Sequence, residues 1–214
     1  MPKSLVTKQK RKNKYSLKFL LVIFQVLIVL AVLAGLMSAR VDDTSDQVSD
    51  SSLNSQLTTM TEYNFIRDIG PLAQKAYQKY KILPSLTLAQ AILESDFGQS
   101  GLAAKYHNLF GVKAYGNVPT VSLDTQEFEN GQWITIKGQF RVYDSWQDSV
   151  NGHSQLFVEG TTWNPKQYAS VLAAKDYKTA AKAVQTSGYA TDPDYSTKLI
   201  SIIEKYKLNQ YDKA

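Results

Sequence analysis

The 214-residue chain contains no cysteine, so disulfides, thiolate metal sites and thiol nucleophiles are all excluded. It has two histidines, His107 and His153, and neither belongs to an HExxH pair or to a cluster of carboxylates at ligand spacing. No metal and no cofactor is therefore expected. No G-x-S-x-G occurs, and two isolated histidines give no basis for a serine triad. Acids are absent from the first 40 residues, which hold eight cations; the other 174 residues carry 16 cations against 19 acids, a net of −3. The formal charge of +5 thus belongs to the N-terminus, and the remainder has no electrostatic footprint for nucleic acid.

What is present begins with a basic segment, residues 1–18, followed by an apolar run from Phe19 to Met37 broken only by Gln25 and Gly35. Nineteen residues at about 1.5 Å each approach the hydrocarbon thickness of a bilayer. Residues 19–39 are read as a transmembrane signal anchor. Cations before the run and acids after it (Asp42, Asp43, Asp46, Asp50) put the N-terminus in the cytoplasm and the rest outside. The alternative is secretion after cleavage near Ser38-Ala39, although the run is longer than the usual signal-peptide core. Residues 40–60 are acidic, rich in Ser and Thr and free of aromatics, and are expected to form a flexible linker. Residues 61–214 form one domain of ordinary size.

In that domain, helical spacing links Phe65, Ile69, Leu72, Ala76 and Tyr80, with an interruption or a fresh start expected at Gly70-Pro71. A second helix opens near Pro84, with Ser85 or Thr87 as N-cap, and ends at the glycine-punctuated stretch SDFGQSG. Glu94 lies late in this helix, opposite the stripe of Leu88, Ala91 and Ile92, so one reading is a solvated glutamate. The other is an acid in a cleft wall. No Lys or Arg stands at i±3 or i±4, where Gln90, Ala91, Phe97 and Gly98 occur, so no local cation holds its pKa down.

Beyond Gly111 the period changes to two. TVSLDTQEF and WITIKGQFRVYD alternate around the turn Glu129-Asn130-Gly131-Gln132, predicting a hairpin or a three-stranded lobe. Glu127 shares a face with Val121, Leu123 and Thr125. It is either a catalytic carboxylate or an edge residue paired with Lys137 or Arg141. Asp124 and Glu129 read as solvated. Ser145 and Asp148 resemble a capping box, and Asn164-Pro165 and Asp192-Pro193 carry the N-cap, proline-at-N1 signal. Six or seven helices around one small sheet are expected, with a carboxylate pair, Glu94 and Glu127, as the equipment for glycosidic cleavage.

The strings AILESDFGQSGLAAKYHNLFGVK, TQEFENGQW and GYATDPDYSTKL, in that order between Tyr63 and Leu208, resemble glycoside hydrolase family 73, bacterial peptidoglycan β-N-acetylglucosaminidases. The resemblance implies an α+β, lysozyme-like fold, mostly helical, with a small antiparallel β lobe beside the cleft. It implies an endo-β-N-acetylglucosaminidase that cuts β-1,4 bonds between N-acetylglucosamine and N-acetylmuramic acid, in a membrane-anchored form whose partner is the glycan strand. In the family's E-S-x-F/Y-G-x-S motif the glutamate is the general acid, which maps to Glu94. Glu127, in a T-x-E setting, matches its proposed partner, with substrate N-acetyl participation as the alternative. Tyr189, Asn108 and Phe110 match substrate-binding or turn-supporting positions, and Trp133, Tyr115 and Tyr143 are candidates for stacking on sugars. The rival readings are a muramidase or lytic transglycosylase on the same scaffold, and an inactive wall-binding protein.

Overall fold

The computed structural model describes residues 47–129 and 132–213, with side chains placed over 51–125 and 134–213. The apolar run Phe19–Met37 lies outside these residues. No described helix is long and apolar enough to cross a membrane.

The first helix, α1 (Gln47–Tyr80), has 34 residues and continues through Pro71 without the expected break. Its C-terminal half buries Phe65, Ile66, Ile69, Ala73 and Ala76. Gly70 lies so close to Tyr211 that a Cβ there would collide with the tyrosine ring. The linker expectation is corrected over Gln47–Met60, which is helical although exposed from Ser51 onward. Growing a helix outward from a packed segment needs no new nucleus. The hydroxyls of Thr58, Thr59 and Thr61 donate to carbonyls four residues back at 2.9, 2.9 and 3.0 Å, so the residues that suggested disorder bond within the helix.

Helix α2 (Pro84–Ser95) is the centre of the molecule, with every residue but Leu93 buried. A helix enclosed on all sides has no solvated face. The solvated reading of Glu94 therefore fails: it is 9% exposed. The N-cap is Leu83, with Pro84 in the first turn, and neither Ser85 nor Thr87 has that role. Ser85 instead gives its N–H and its hydroxyl to the two carboxylate oxygens of Asp212, at 2.8 and 2.7 Å. The end of the chain thus caps the start of the central helix, a bond of the kind that contributes about 0.5–2 kcal/mol.

Three successive residues after α2, Asp96, Phe97 and Gly98, take φ of 50°, 53° and 76°. Left-handed backbone is costly for a bulky residue. Phe97 is held there by edge contacts to Phe65 and Tyr206, with centroids 6.0 and 5.4 Å away. Helix α3 (Gly101–Tyr106) follows, N-capped by the Ser100 hydroxyl, which accepts from Ala103 N–H at 3.2 Å.

The β lobe is one antiparallel hairpin, β1 (Thr120–Glu129) and β2 (Gln132–Arg141), in register from Thr120 opposite Arg141 to Glu129 opposite Gln132. Helix α4 (Trp146–Glu159) opens with the expected capping arrangement: Ser145 accepts from Asp148 N–H at 3.1 Å. Helices α5 (Ala169–Ala173), α6 (Tyr177–Thr186) and α7 (Tyr195–Lys205) and a 3-10 turn (Leu208–Asp212) complete the body. Asn164 and Asp192 are not the caps of α5 and α7. Each side chain accepts the N–H two residues on, at 3.1 and 2.9 Å, forming turns that aim the chain into the helix that follows. The described architecture is mostly helical with a small two-stranded antiparallel sheet.

Candidate active site

Glu94 lies one residue before the end of α2 and lines a cavity of about 760 Å³. The turn after α2 contributes Asp96 and Phe97, the hairpin contributes Leu123, Asp124 and Phe140, and α7 contributes Ile202 and Lys205. Helix α1 reaches the far end with Glu62. No group of three or more metal-ligating side chains occurs among the described residues.

The environment of Glu94 decides its protonation. Burial pushes its pKa up to about 8, opposed by one hydrogen bond from Tyr195. Tyr195 Oη donates to Glu94 Oε1 at 2.9 Å, and Gln90 Nε2 donates to Tyr195 Oη at 3.1 Å. No salt bridge to Glu94 occurs among the described residues. At neutral pH the carboxyl is a neutral acid at the wall of a cavity, the state a general acid needs.

Behind it lies an aromatic layer. Tyr189 stacks on Tyr195 with centroids 5.9 Å apart and on Phe157 at 5.4 Å. Burial, and next the charge of Glu94, raise the Tyr189 hydroxyl well above its usual pKa, so it stays a neutral hydroxyl close to the acid. His153 stacks on Phe110 at 3.9 Å and meets Tyr189 edge-on at 6.0 Å. Both its ring nitrogens lack partners among the described residues, and burial pushes its pKa down to about 3.

Asn108 and Phe110, read from the sequence as substrate-binding positions, lie beneath the cleft, 1% and 3% exposed. The Asn108 amide donates to Val112 O and Arg141 O at 2.9 and 2.8 Å and accepts from Val112 N–H at 2.9 Å. It ties the turn after α3 to the base of the hairpin. His107 has a related role: its φ of 53° closes α3, and its Nδ1 pairs with Tyr143 O at 3.0 Å. Tyr143 is buried and Tyr115 is 60% exposed. Glu127 lies in β1 opposite Ile134, and its side chain is outside the described set, as is that of Trp133. Of the two cations considered as partners for Glu127, Lys137 lies 2.7 Å from Asp124, and Arg141 lies over the Tyr143 ring at 4.9 Å.

Sequence reasoning missed Tyr195 and Gln90. Gln90 was visible at i−4 of Glu94, where it registered only as a missing cation. Tyr195 stands six residues after Tyr189 in the same quoted string, and nothing local distinguishes the two.

A neutral carboxyl on a buried helix, set in a cleft between a helical body and a β hairpin, defines a glycosidase-type site. Residues 70–208 match the glucosaminidase family model, described as mannosyl-glycoprotein endo-beta-N-acetylglucosaminidase, and the chain belongs to that family, glycoside hydrolase family 73. It is 53% identical over 150 residues to the exo-glucosaminidase LytG of Bacillus subtilis, covering 70% of this chain and 53% of that protein. It is 37% identical over 162 residues to a probable N-acetylmuramidase of Lactococcus lactis subsp. lactis, covering 74% of this chain and 37% of that protein. The crystal structure of the catalytic domain of the autolysin Auto from Listeria monocytogenes matches with a TM-score of 0.68 at 32% identity, over 80% of this chain and 99% of that one. The chain spans about half the length of LytG and less of the muramidase.

Proposed function

We propose that this chain hydrolyses the β-1,4 bond between N-acetylglucosamine and N-acetylmuramic acid in peptidoglycan. The observation that carries the reading is the protonated Glu94 at the wall of a cavity large enough for sugar rings. Glu94 gives its proton to the departing glycosidic oxygen as the bond to the anomeric carbon breaks. Glu127, from the hairpin, accepts a proton from the water that attacks the opposite face. Tyr189, read from the sequence as a sugar contact, packs behind the acid instead, and Asn108 and Phe110 support the turn beneath it.

Mass spectrometry of muropeptides released by the protein tests this. Products ending in reducing N-acetylglucosamine support it. Reducing N-acetylmuramic acid would make the chain a muramidase, 1,6-anhydro ends a lytic transglycosylase, and an undigested wall a binding protein. Product lengths distinguish the endo cut expected here from the exo action in the name of LytG.

The reading extends to location. The run Phe19–Met37 anchors the enzyme with its N-terminus in the cytoplasm and its domain outside, the alternative being release by cleavage. The N-terminal part of α1, Gln47–Met60, then acts as a helical stem about 20 Å long. Protease added to cells stripped of wall should free the domain; an intact chain in the cytosol would refute the anchor.

A further inference from the structure

Gln90 is fully buried on α2, one turn before Glu94, and its two amide atoms fare differently. Nε2 donates to Tyr195 Oη at 3.1 Å, while Oε1 is buried without a partner among the described residues. A buried unpaired carbonyl costs on the order of 1–3 kcal/mol. Rotating the amide by 180° would give Oε1 a partner, because it would accept the Tyr195 hydrogen. The structure holds the other orientation. With Nε2 aimed at Oη, the single hydrogen of Tyr195 is directed to Glu94 Oε1, the 2.9 Å contact observed. In a protonated carboxyl the carbonyl oxygen is the stronger acceptor, so the oxygen that takes this hydrogen is the one without the acid proton.

We propose that Gln90 is a positioning residue for the reaction: through Tyr195 it commits Glu94 Oε1 as an acceptor and keeps the transferable proton on Oε2, the oxygen left to face the cavity. In the reverse arrangement, with Gln90 Oε1 taking the Tyr195 hydrogen, Glu94 would place its proton on Oε1 and donate it to Oη, away from the substrate. The forward wire moves no proton along itself. Tyr195 and Gln90 keep all their hydrogens, and the one proton transferred goes from Glu94 Oε2 to the leaving oxygen. The carboxylate left behind is then stabilised by the same Tyr195 hydrogen, itself polarised by the Gln90 N–H. The other groups facing Glu94 are the Tyr189 hydroxyl from the segment before α7, and, around the cavity, Asp96 after α2, Asp124 on β1, Lys205 on α7 and Glu62 on α1. None of them is bonded to Oε1.

The inference rests on Glu94 as the general acid, and a double-mutant cycle in the full chain tests it. Gln90→Met keeps the side-chain length and removes the amide; Tyr195→Phe removes the hydroxyl. Glu94 is titrated by the 13C shift of its labelled carboxyl, assigned by the signal lost in Glu94→Gln, and kcat and KM are measured on wall. Gln90→Met should raise the Glu94 titration midpoint and lower kcat about 5–10-fold with KM changed less than about twofold. Tyr195→Phe should do the same more strongly. Because Gln90 acts only through Tyr195, the double variant should match Tyr195→Phe within about twofold. Gln90→Leu serves in its place if Gln90→Met does not fold. An unchanged midpoint in the single variant, or a full additional effect of Gln90→Met in the Tyr195→Phe background, overturns the proposal. The carboxyl titration needs no substrate, so it stands apart from failure of the peptidoglycan reading, which would appear as an undigested wall with wild-type protein.

Discussion

Glu94 on the helical body and Asp124 on the hairpin face one cavity, and their surroundings give them opposite chemistry. Glu94 is enclosed by α2, α7 and the aromatic layer, and burial holds it neutral up to about pH 8. The Asp124 side chain is 64% exposed and pairs with Lys137 at 2.7 Å, also largely exposed. An exposed pair of this kind contributes at most about 1 kcal/mol. The body fixes a protonation state by excluding water, whereas the hairpin keeps the Asp124–Lys137 pair solvated and joins the body through its base, where Asn108 and the buried Phe140 hold it. The body therefore suits a proton donor, and the hairpin suits groups that meet water.

The most direct way to break this comparison is to remove the proton from the body. Glu94→Gln keeps the size and the Tyr195 hydrogen bond but has no acidic hydrogen, so wall hydrolysis should fall by about 10² or more with the fold intact. Asp124→Asn on the other wall should change the rate by less than about threefold, as expected for a solvated pair. Dye release from labelled wall measures both. Equal losses in the two variants would mean that the cavity walls are not divided in this way.

A second experiment sharpens the role of the hairpin. Successive strand residues advance about 3.4 Å, so Glu127 lies about 10 Å beyond the cavity-lining Asp124 along β1. For Glu127 to activate water in an inverting reaction, the lobe has to bring its carboxyl to about 6.5–9.5 Å from Glu94 when substrate is bound. Glu127→Ala should lower activity by about 10–10², and added azide should restore turnover with an α-glycosyl azide as product. Full activity without azide would assign the second role to the substrate's acetamido group or to another residue.

The sequence made the helical body legible because periodicity and capping chemistry act locally. The 3.6-residue stripe found α1 and α2, and Ser145-Asp148 found the start of α4. The change to period two found two strands and the turn between them, while their register and the absence of a third strand among the described residues came from the structure. What escaped depends on contacts distant in sequence. The helical wheel placed Glu94 on a solvent face, because a wheel knows nothing of α7 lying against that face. The bond from Tyr195 spans 101 residues, and the cap from Asp212 to Ser85 spans 127. Asn108 and Phe110 were read as candidates for the cleft itself because the motif keeps them next to it; their burial comes from distant partners, Arg141 at the base of β2 for Asn108 and His153 of α4 for Phe110. The stem of α1 was misread for the opposite reason, since composition alone cannot show that a packed helix lies immediately downstream.

The smallest effects separate two buried groups within the body, Glu94 and His153. Glu94 has a folded pKa of about 8 against an ordinary value of 4.5, so the folded state binds the extra proton. Its contribution is fully present below about pH 4.5 and is lost as pH rises through 8. His153 has the opposite sign: burial lowers it from 6.5 to about 3, so its contribution is present above pH 6.5 and is lost as pH falls through 3. Thermal stability should therefore be greatest between about pH 4.5 and 6.5 and decline on both sides. Glu94→Gln has nothing to ionise and should flatten the alkaline decline, while His153→Phe should flatten the acid one. His153→Phe also removes two unpaired nitrogens from a stack with Phe110, so its melting temperature at pH 7 should match or exceed that of the wild type, by a few degrees at most. Melting curves from pH 3.5 to 9 for the three proteins decide this. An acid limb in His153→Phe as steep as in the wild type would mean that the limb belongs to other groups and that the histidine gains a partner when it takes up a proton.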